Sequence, residues 1–170
     1  MELYNADGDA ITSSDYLYAY GSEQLNPGEH TYVQLSAADS EVEAADVADY
    51  LLTITGKSDK DYVVSRFPVT TDLALNVEED YYTTSYMYAT VTNDTDEPVY
   101  DICVALALLD ADGNILYLTD ETLYNKALLP GGSILIREEI PSYFSESFEK
   151  NGYGTPASVD AIAYVQTYQP

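Results

Sequence analysis

Two stretches of this chain carry oxygen ligands at spacings that suit a divalent cation: Asn5-Ala6-Asp7-Gly8-Asp9 and Asp110-Ala111-Asp112-Gly113-Asn114. Calcium takes six to eight oxygen ligands, and the helix-flanked calcium loop places its glycine at position six. Counted from Asp110, Gly113 falls at position four. An aspartate-glycine hairpin turn accounts for these residues better, with glycine supplying a positive φ. The metal reading that remains joins Asp110 and Asp112 to a carboxylate of a neighbouring loop, Asp94 or Asp96, around calcium. His30 is the only histidine. A zinc site would need carboxylates beside it, and Glu29, adjacent in sequence, points the other way on a strand. His30 therefore reads as a solvent-facing strand residue.

Nucleophilic chemistry finds little support. Composition alone leaves a Ser-His-Asp triad open, but the serines lie in polar loops and no Gly-x-Ser-x-Gly elbow occurs. Paired carboxylates could serve a glycan hydrolase. With 30 acidic residues, such pairs arise by chance. Cys103 is the only cysteine, so no internal disulfide forms, and its apolar surroundings read as those of a small buried hydrophobe. No phosphate-binding glycine loop and no basic patch is present. No catalytic residue is assigned, and no cofactor beyond the calcium considered above.

Tyrosine is the other notable residue type, with 18 copies against 3 phenylalanines. An extended "DYLYAY" puts Tyr16, Tyr18 and Tyr20 on one face. Tyr86 and Tyr88, with Tyr164 and Tyr168, are expected on the outer face of a sandwich. Cross-strand pairing at ~0.2–1 kcal/mol per pair explains them. The sharper alternative is an exposed aromatic surface for a protein or glycan.

These residues need elements to hold them. The 170 residues allow one large domain or two small ones, and no stretch approaches the ~20 apolar residues of a membrane span. The net charge is -24, with 13 acids and 3 bases in residues 1–70 and 17 and 3 in the remainder. Acidity spread this evenly is a solvated surface. It repels nucleic acid and anionic membranes and suits solubility, cations or a basic partner. After Met1, "ELYNADGD" has no basic segment, apolar stretch or lipidation cysteine, so it does not read as an export signal. The expectation is a protein that stays inside the cell or a piece of a longer chain.

An internal repeat organises the sequence. "ADGDAITSSDYLYAYGSEQLNPGEHTYVQL" and "ADGNILYLTDETLYNKALLPGGSILIRE" share a turn, a stretch with Asp and Tyr, a Leu-x-Pro-Gly turn and an alternating strand. Gly8 precedes Pro27 by 19 residues and Gly113 precedes Pro130 by 17. Each copy then closes on a strand, "VADYLLTIT" or "VDAIAYVQT". Copy two has strands in front of its turn. They are "LALNV" (73–77), the alternating "SYMYATVTN" (85–93), and "VYDICVALALLD" (99–110), which is apolar on both faces as in a central strand. "SILIREEI" (133–140) turns Ile134 and Ile136 inward. Residues 140–152 and 37–50 each read as a short helix or ordered loop. Short strands with turn signals between them predict an all-β protein.

The pattern resembles the F-x-L-Y-D domain family of bacterial exported proteins. Its marks are a threonine- and valine-rich strand ending in "TN", a long apolar strand ending in Asp, a glycine turn and a later Leu-x-Pro-Gly. The signature stands as Leu106 to Asp110 in copy two and as Met1 to Asn5 in copy one, where Leu3-Tyr4 matches its centre. Leu106 or Met1 replaces the Phe, and Asn5 replaces the closing Asp. The resemblance implies antiparallel immunoglobulin-like β-sandwich modules in tandem. Residues 1–66 would be a truncated module with C-terminal strands only, and residues 67–170 a complete one. It implies an extracellular or envelope-attached location, as in lipoproteins and surface proteins, and no catalytic activity. The expected function is a spacer or a protein- or glycan-binding module. A calcium-dependent adhesion module is the alternative, and a carboxylate-based glycan hydrolase comes third. The incomplete first module would expose Val33, Leu35, Leu52 and Ile54. It would be completed by packing on copy two, with "DYVVSRF" (61–67) adding to the open edge, or by strand pairing with another chain.

Overall fold

The computed structural model describes residues 1–13, 17–22, 24–35, 46–56, 61–143, 148 and 154–169. Among them are fourteen strands: β1 Glu2–Tyr4, β2 Ala10–Ser13, β3 Leu17–Tyr20, β4 Tyr32–Leu35, β5 Asp49–Leu51, β6 Tyr62–Phe67, β7 Val69–Glu78, β8 Thr83–Thr92, β9 Val99–Tyr100, β10 Cys103–Asp110, β11 Ile115–Thr122, β12 Ala127–Leu128, β13 Ser133–Ile140 and β14 Pro156–Tyr168. Every pairing is antiparallel. The chain is all-β, as its alternating patterns predict.

Two sheets, ordered β11-β10-β14-β6 and β13-β8-β7, enclose one core in the manner of a β-sandwich. Alternation decides which residues enter it. Met87, Ala89 and Val91 of β8 are fully buried, and they meet Val104, Leu106 and Leu108 of β10. Ile134 and Ile136 point inward from β13. The chain passes between the sheets at Phe67-Pro68-Val69, with Phe67 buried in the core. Proline suits this crossing, since it has no N–H for a ladder to need. β7 is longer than the five residues expected and is interrupted between Ala74 and Val77, where Asn76 takes φ 55°.

The repeat is visible in the hydrogen bonds. In copy two, Asp110 Oδ1 accepts from the backbone N–H of Asp112 (2.9 Å) and Asn114 (2.8 Å). In copy one, Asn5 Oδ1 accepts from those of Asp7 (3.0 Å) and Asp9 (2.9 Å). Gly8 and Gly113 both adopt φ 84°, which only glycine takes without strain. The strands follow suit. Leu3 pairs with Thr12 and Tyr50 as Leu108 pairs with Tyr117 and Val159, with a bulge at the next residue of each turn-side ladder. The sheet order β2-β1-β5 thus mirrors β11-β10-β14.

The copies differ after that point. β13 pairs with β8, whereas β4 in its place pairs with β3. The β3–β4 hairpin lies on the outer face of β10 and β14. There Tyr20 and Tyr32 pack on Ala105, Ala107 and Ile162. This explains why β10 is apolar on both faces: one serves the sandwich core and the other, made of small alanines, receives two tyrosine rings. "DYVVSRF", expected to add to the open edge of the first copy, instead adds its strand to β14 of copy two, with Phe67 opposite Ala163. Of the first copy's closing stretch, only Asp49–Leu51 is a strand. Most of 37–50 lies outside the described residues. So does most of 140–152, where Ser142, Tyr143 and Phe148 are helical and Phe148 enters the core.

Candidate functional site

A polar cluster joins the hairpin to β14 and β6. Outward positions of β14 alternate Asp160, Ile162 and Tyr164, so the hairpin meets one acid within an apolar patch. Asp160 Oδ2 accepts the hydroxyl hydrogen of Tyr32 and stands 3.1 Å from His30 Nε2. The His30 and Tyr32 rings meet edge to face at 5.5 Å. Arg66, on β6, donates from Nη2 to the His30 carbonyl at 3.3 Å. Its Nε lies 3.5 Å from Glu29, an ion-pair distance without hydrogen-bond geometry. Its guanidinium sits 5.6 Å from the Tyr164 ring centre.

The electrostatics follow from these contacts. Hydrogen bonds from the Asn26 backbone and side chain, aided by Arg66, hold the Glu29 carboxyl below the usual carboxylate range. Burial, then the bond to Asp160, pushes the Tyr32 hydroxyl up. Burial, with Cys103 and Asp120 nearby, lifts Tyr164 to about 12. Arg66 faces Glu29 and His30 faces Asp160, so each acid of the cluster has a partner. Its chemistry is that of an anchor between elements.

Gly21 lets the hairpin come this close. Its φ is 106°, and a Cβ there would lie 2.7 Å from Thr31 Oγ1 and 3.7 Å from Ala105 Cβ. An open groove of about 310 Å³ lies at the seam, lined by Gly28, Glu29, His30, Arg66, Phe67, Val69 and residues 161–163 of β14.

The acidic residues singled out for calcium do not converge. Asp110 ends β10 and Asp112 follows it, while Asp94 and Asp96 precede the strand. An eight-residue strand separates the two groups by roughly 25 Å. The Asp110 carboxylate is instead occupied by its own turn, with Asn114 Nδ2 donating to Oδ2 at 2.9 Å. These bonds, first those of Asn114, hold its carboxyl below the usual range. The backbone of Gly154 rests on it so closely that a Cβ would overlap the carboxylate. Among the described residues, no group of three or more His, Cys, Asp or Glu is placed to hold a metal ion.

The seven tyrosines do not share a surface. Tyr16 lies outside the described residues, and Tyr18 pairs through its backbone with Gln34. Tyr20 packs in the seam and donates to Gln34 Oε1 at 3.0 Å. Tyr86 is on the outer face of β8 yet only 4% exposed. Arg137 lies 4.7 Å over its ring, its hydroxyl donates to Glu79, and Tyr88 sits 6.1 Å away. Burial, then Glu79, raises the Tyr86 hydroxyl to about 12. Tyr164 and Tyr168 lie on β14, in the opposite sheet, with Tyr168 exposed beside Tyr62. His30 is exposed just before β4, as expected of a solvent-facing residue, but it has a partner 130 residues away.

Sequence reasoning missed Asp160, Tyr32 and Arg66. The signal available was the outward Ala105, Ala107, Ile162 and Tyr164, an apolar outer face that needs a cover. No family model, curated protein or solved structure matches the chain.

Proposed function

We propose that this chain is a non-catalytic module of an extracellular or envelope-attached bacterial protein. In this reading it has two immunoglobulin-like units in tandem and spaces or presents a surface for a protein or glycan. The observation that carries the reading is the seam. Tyr20 and Tyr32 seat the first unit on Ala105, Ala107 and Ile162, and the Asp160 and Arg66 contacts fix its orientation. A spacer needs such a junction, because a flexible linker gives no defined distance between its ends. The compartment rests on the resemblance at Leu106 to Asp110 and Met1 to Asn5.

Small-angle X-ray scattering tests the spacer role. The intact chain is expected to give one rigid envelope, and the Tyr32→Ala, His30→Ala double variant a larger radius of gyration with a flexible profile. An unchanged profile would remove the seam, and with it this reading.

A further inference from the structure

β11 ends its sheet, and among the described residues no strand pairs with its outer side. The ladder with β10 fixes what that side offers. The Leu123 N–H donates to the Ile102 carbonyl at 2.9 Å, and bonded and unbonded pairs alternate along an antiparallel ladder. Glu121, Thr119 and Tyr117, opposite Val104, Leu106 and Leu108, therefore bond to β10. Leu118 and Asp120 turn their N–H and C=O groups the other way. So does the N–H of Thr122, whose carbonyl accepts from Tyr124. Among the described residues no backbone bond uses the outward groups of Leu118 and Asp120. An open groove of about 480 Å³ lies against the strand, lined by residues 115–120, by Tyr20 and Gln34 of the hairpin, and by Tyr143.

This edge is acidic. Asp120 shares the outer face of β11 with Leu118, which packs beside Tyr20. Glu121 falls on the inner face, opposite Val104 of the core. Glu138 of β13 alternates in step with the core residues Ile136 and Ile140 and is half-buried. Burial first, then Glu121 and Asp120, raises its carboxyl. Among the described residues no cation pairs with any of the three.

We propose that the β11 edge takes up an extended basic segment of a partner protein as an added strand. The outward N–H and C=O groups recur at alternate residues, roughly 7 Å apart, which is the repeat of another strand. Pairing of this type draws affinity from backbone hydrogen bonds and specificity from alternate side chains. Here the acids set that specificity. In antiparallel register the residues facing Glu121 and Asp120 are Lys or Arg, and the one facing Leu118 is apolar. A second copy of this chain is a poorer occupant, because its own Asp120 and Glu121 would enter an edge of like charge. The net charge of -24 opposes that approach as well.

The inference rests on reading the chain as presenting a surface for a protein. Scattering reads the seam and titration reads the edge, so failure of one is distinguishable from failure of the other. The probe is the capped peptide Thr-Thr-Lys-Arg-Thr-Val-Thr-Val-Thr, titrated into the full chain to about 1 mM at about 0.15 M salt. Chemical shifts and hydrogen exchange are followed by NMR. Saturable binding is expected, with exchange slowed at Leu118, Asp120 and Thr122. A scrambled peptide, and one N-methylated at the amides that face β11, should each bind at least tenfold more weakly. The Asp120→Lys chain should lose affinity for the probe to a similar degree. Absence of saturable binding overturns the proposal. Equal binding by the scrambled or N-methylated peptide also overturns it, since net charge alone would then explain the attraction. Protection away from β11 does the same. So does protection of the β11 amides that grows with protein concentration without peptide, which would assign the edge to a second copy.

Discussion

Tyr32 and Asp160 stand 128 residues apart in sequence and meet through one hydrogen bond, the hydroxyl of the first donating to the carboxylate of the second. Tyr32 is buried and Asp160 half exposed. Tyr32→Phe keeps the ring on Ala105 and Ala107 and removes only that bond. Partial solvation of Asp160 limits the expected loss to about 1 kcal/mol. Tyr32→Ala also removes the packing, at about 3 kcal/mol or more. Urea denaturation should show the two midpoints falling in that order. The hydroxyl's raised pKa means the folded state holds this proton more tightly, so its contribution is complete below the unfolded value and disappears as pH rises through the folded one. Above about pH 10, the intact chain should therefore lose its advantage over Tyr32→Phe. A constant difference through that range would show that the bond does not control this proton.

The two turns exchange an Asn and an Asp: Asn5 with Asp9 in one, Asp110 with Asn114 in the other. Asp110→Asn alone sets an amide against the Asn114 amide and loses the bond to Oδ2. The double variant Asp110→Asn, Asn114→Asp recreates the first copy's sequence. Thermal melts are expected to show a lower midpoint for the single variant and recovery of most of it in the double. The lowered Asp110 carboxyl contributes stability above its unfolded value, which is lost as pH falls through its folded one. Both variants should blunt that loss. Calcium should leave every midpoint unchanged, and a calcium-dependent rise would replace the turn by a metal site.

Glu138 behaves in the opposite sense. Burial first, then the nearby Glu121 and Asp120, raise its carboxyl. The folded state binds its proton more tightly, so the stability it permits is greatest in acid and declines as pH rises through the folded value. Self-repulsion of the -24 charge acts in the same direction. In low salt the chain should be more stable near pH 5 than at pH 8, and Glu138→Gln should flatten the difference. Equal stability at the two pH values would show that pairing of the other carboxylates outweighs both effects.

Much of this architecture is legible in the sequence because it rests on local signals. Met87, Ala89 and Val91 announce a core face by alternation, and Gly8 and Gly113 announce turns by the conformation they permit. The seam is not legible, because it joins residues more than 100 positions apart and turns on Asp160, one of 30 acids with nothing in its local sequence to mark it. Asp110 shows the converse. It lies in a stretch suited to calcium, yet its two oxygens are engaged by main-chain and amide donors of Asp112 and Asn114 in the same turn. Residue type and spacing place an oxygen near a turn, and only the folded backbone shows which donor reaches it.

β6 extends the edge of β14 from Ala163 to Tyr168 and supplies Phe67 to the core. It also supplies Arg66 to the seam. A fragment beginning at residue 71 loses all three contributions, together with the start of β7. One beginning at residue 61 retains them and loses only the first copy and its hairpin. The 61–170 fragment should fold cooperatively but expose Ala105, Ala107 and Ile162, and bind a hydrophobic dye that the full chain excludes. Loss of Phe67 alone removes about 3–5 kcal/mol, a large part of the stability of a domain this size. The 71–170 fragment should therefore melt far lower or not fold. Circular dichroism melts of the two fragments beside the full chain decide the matter. Equal midpoints for 61–170 and 71–170 would show that β6 decorates the sheet without holding it together.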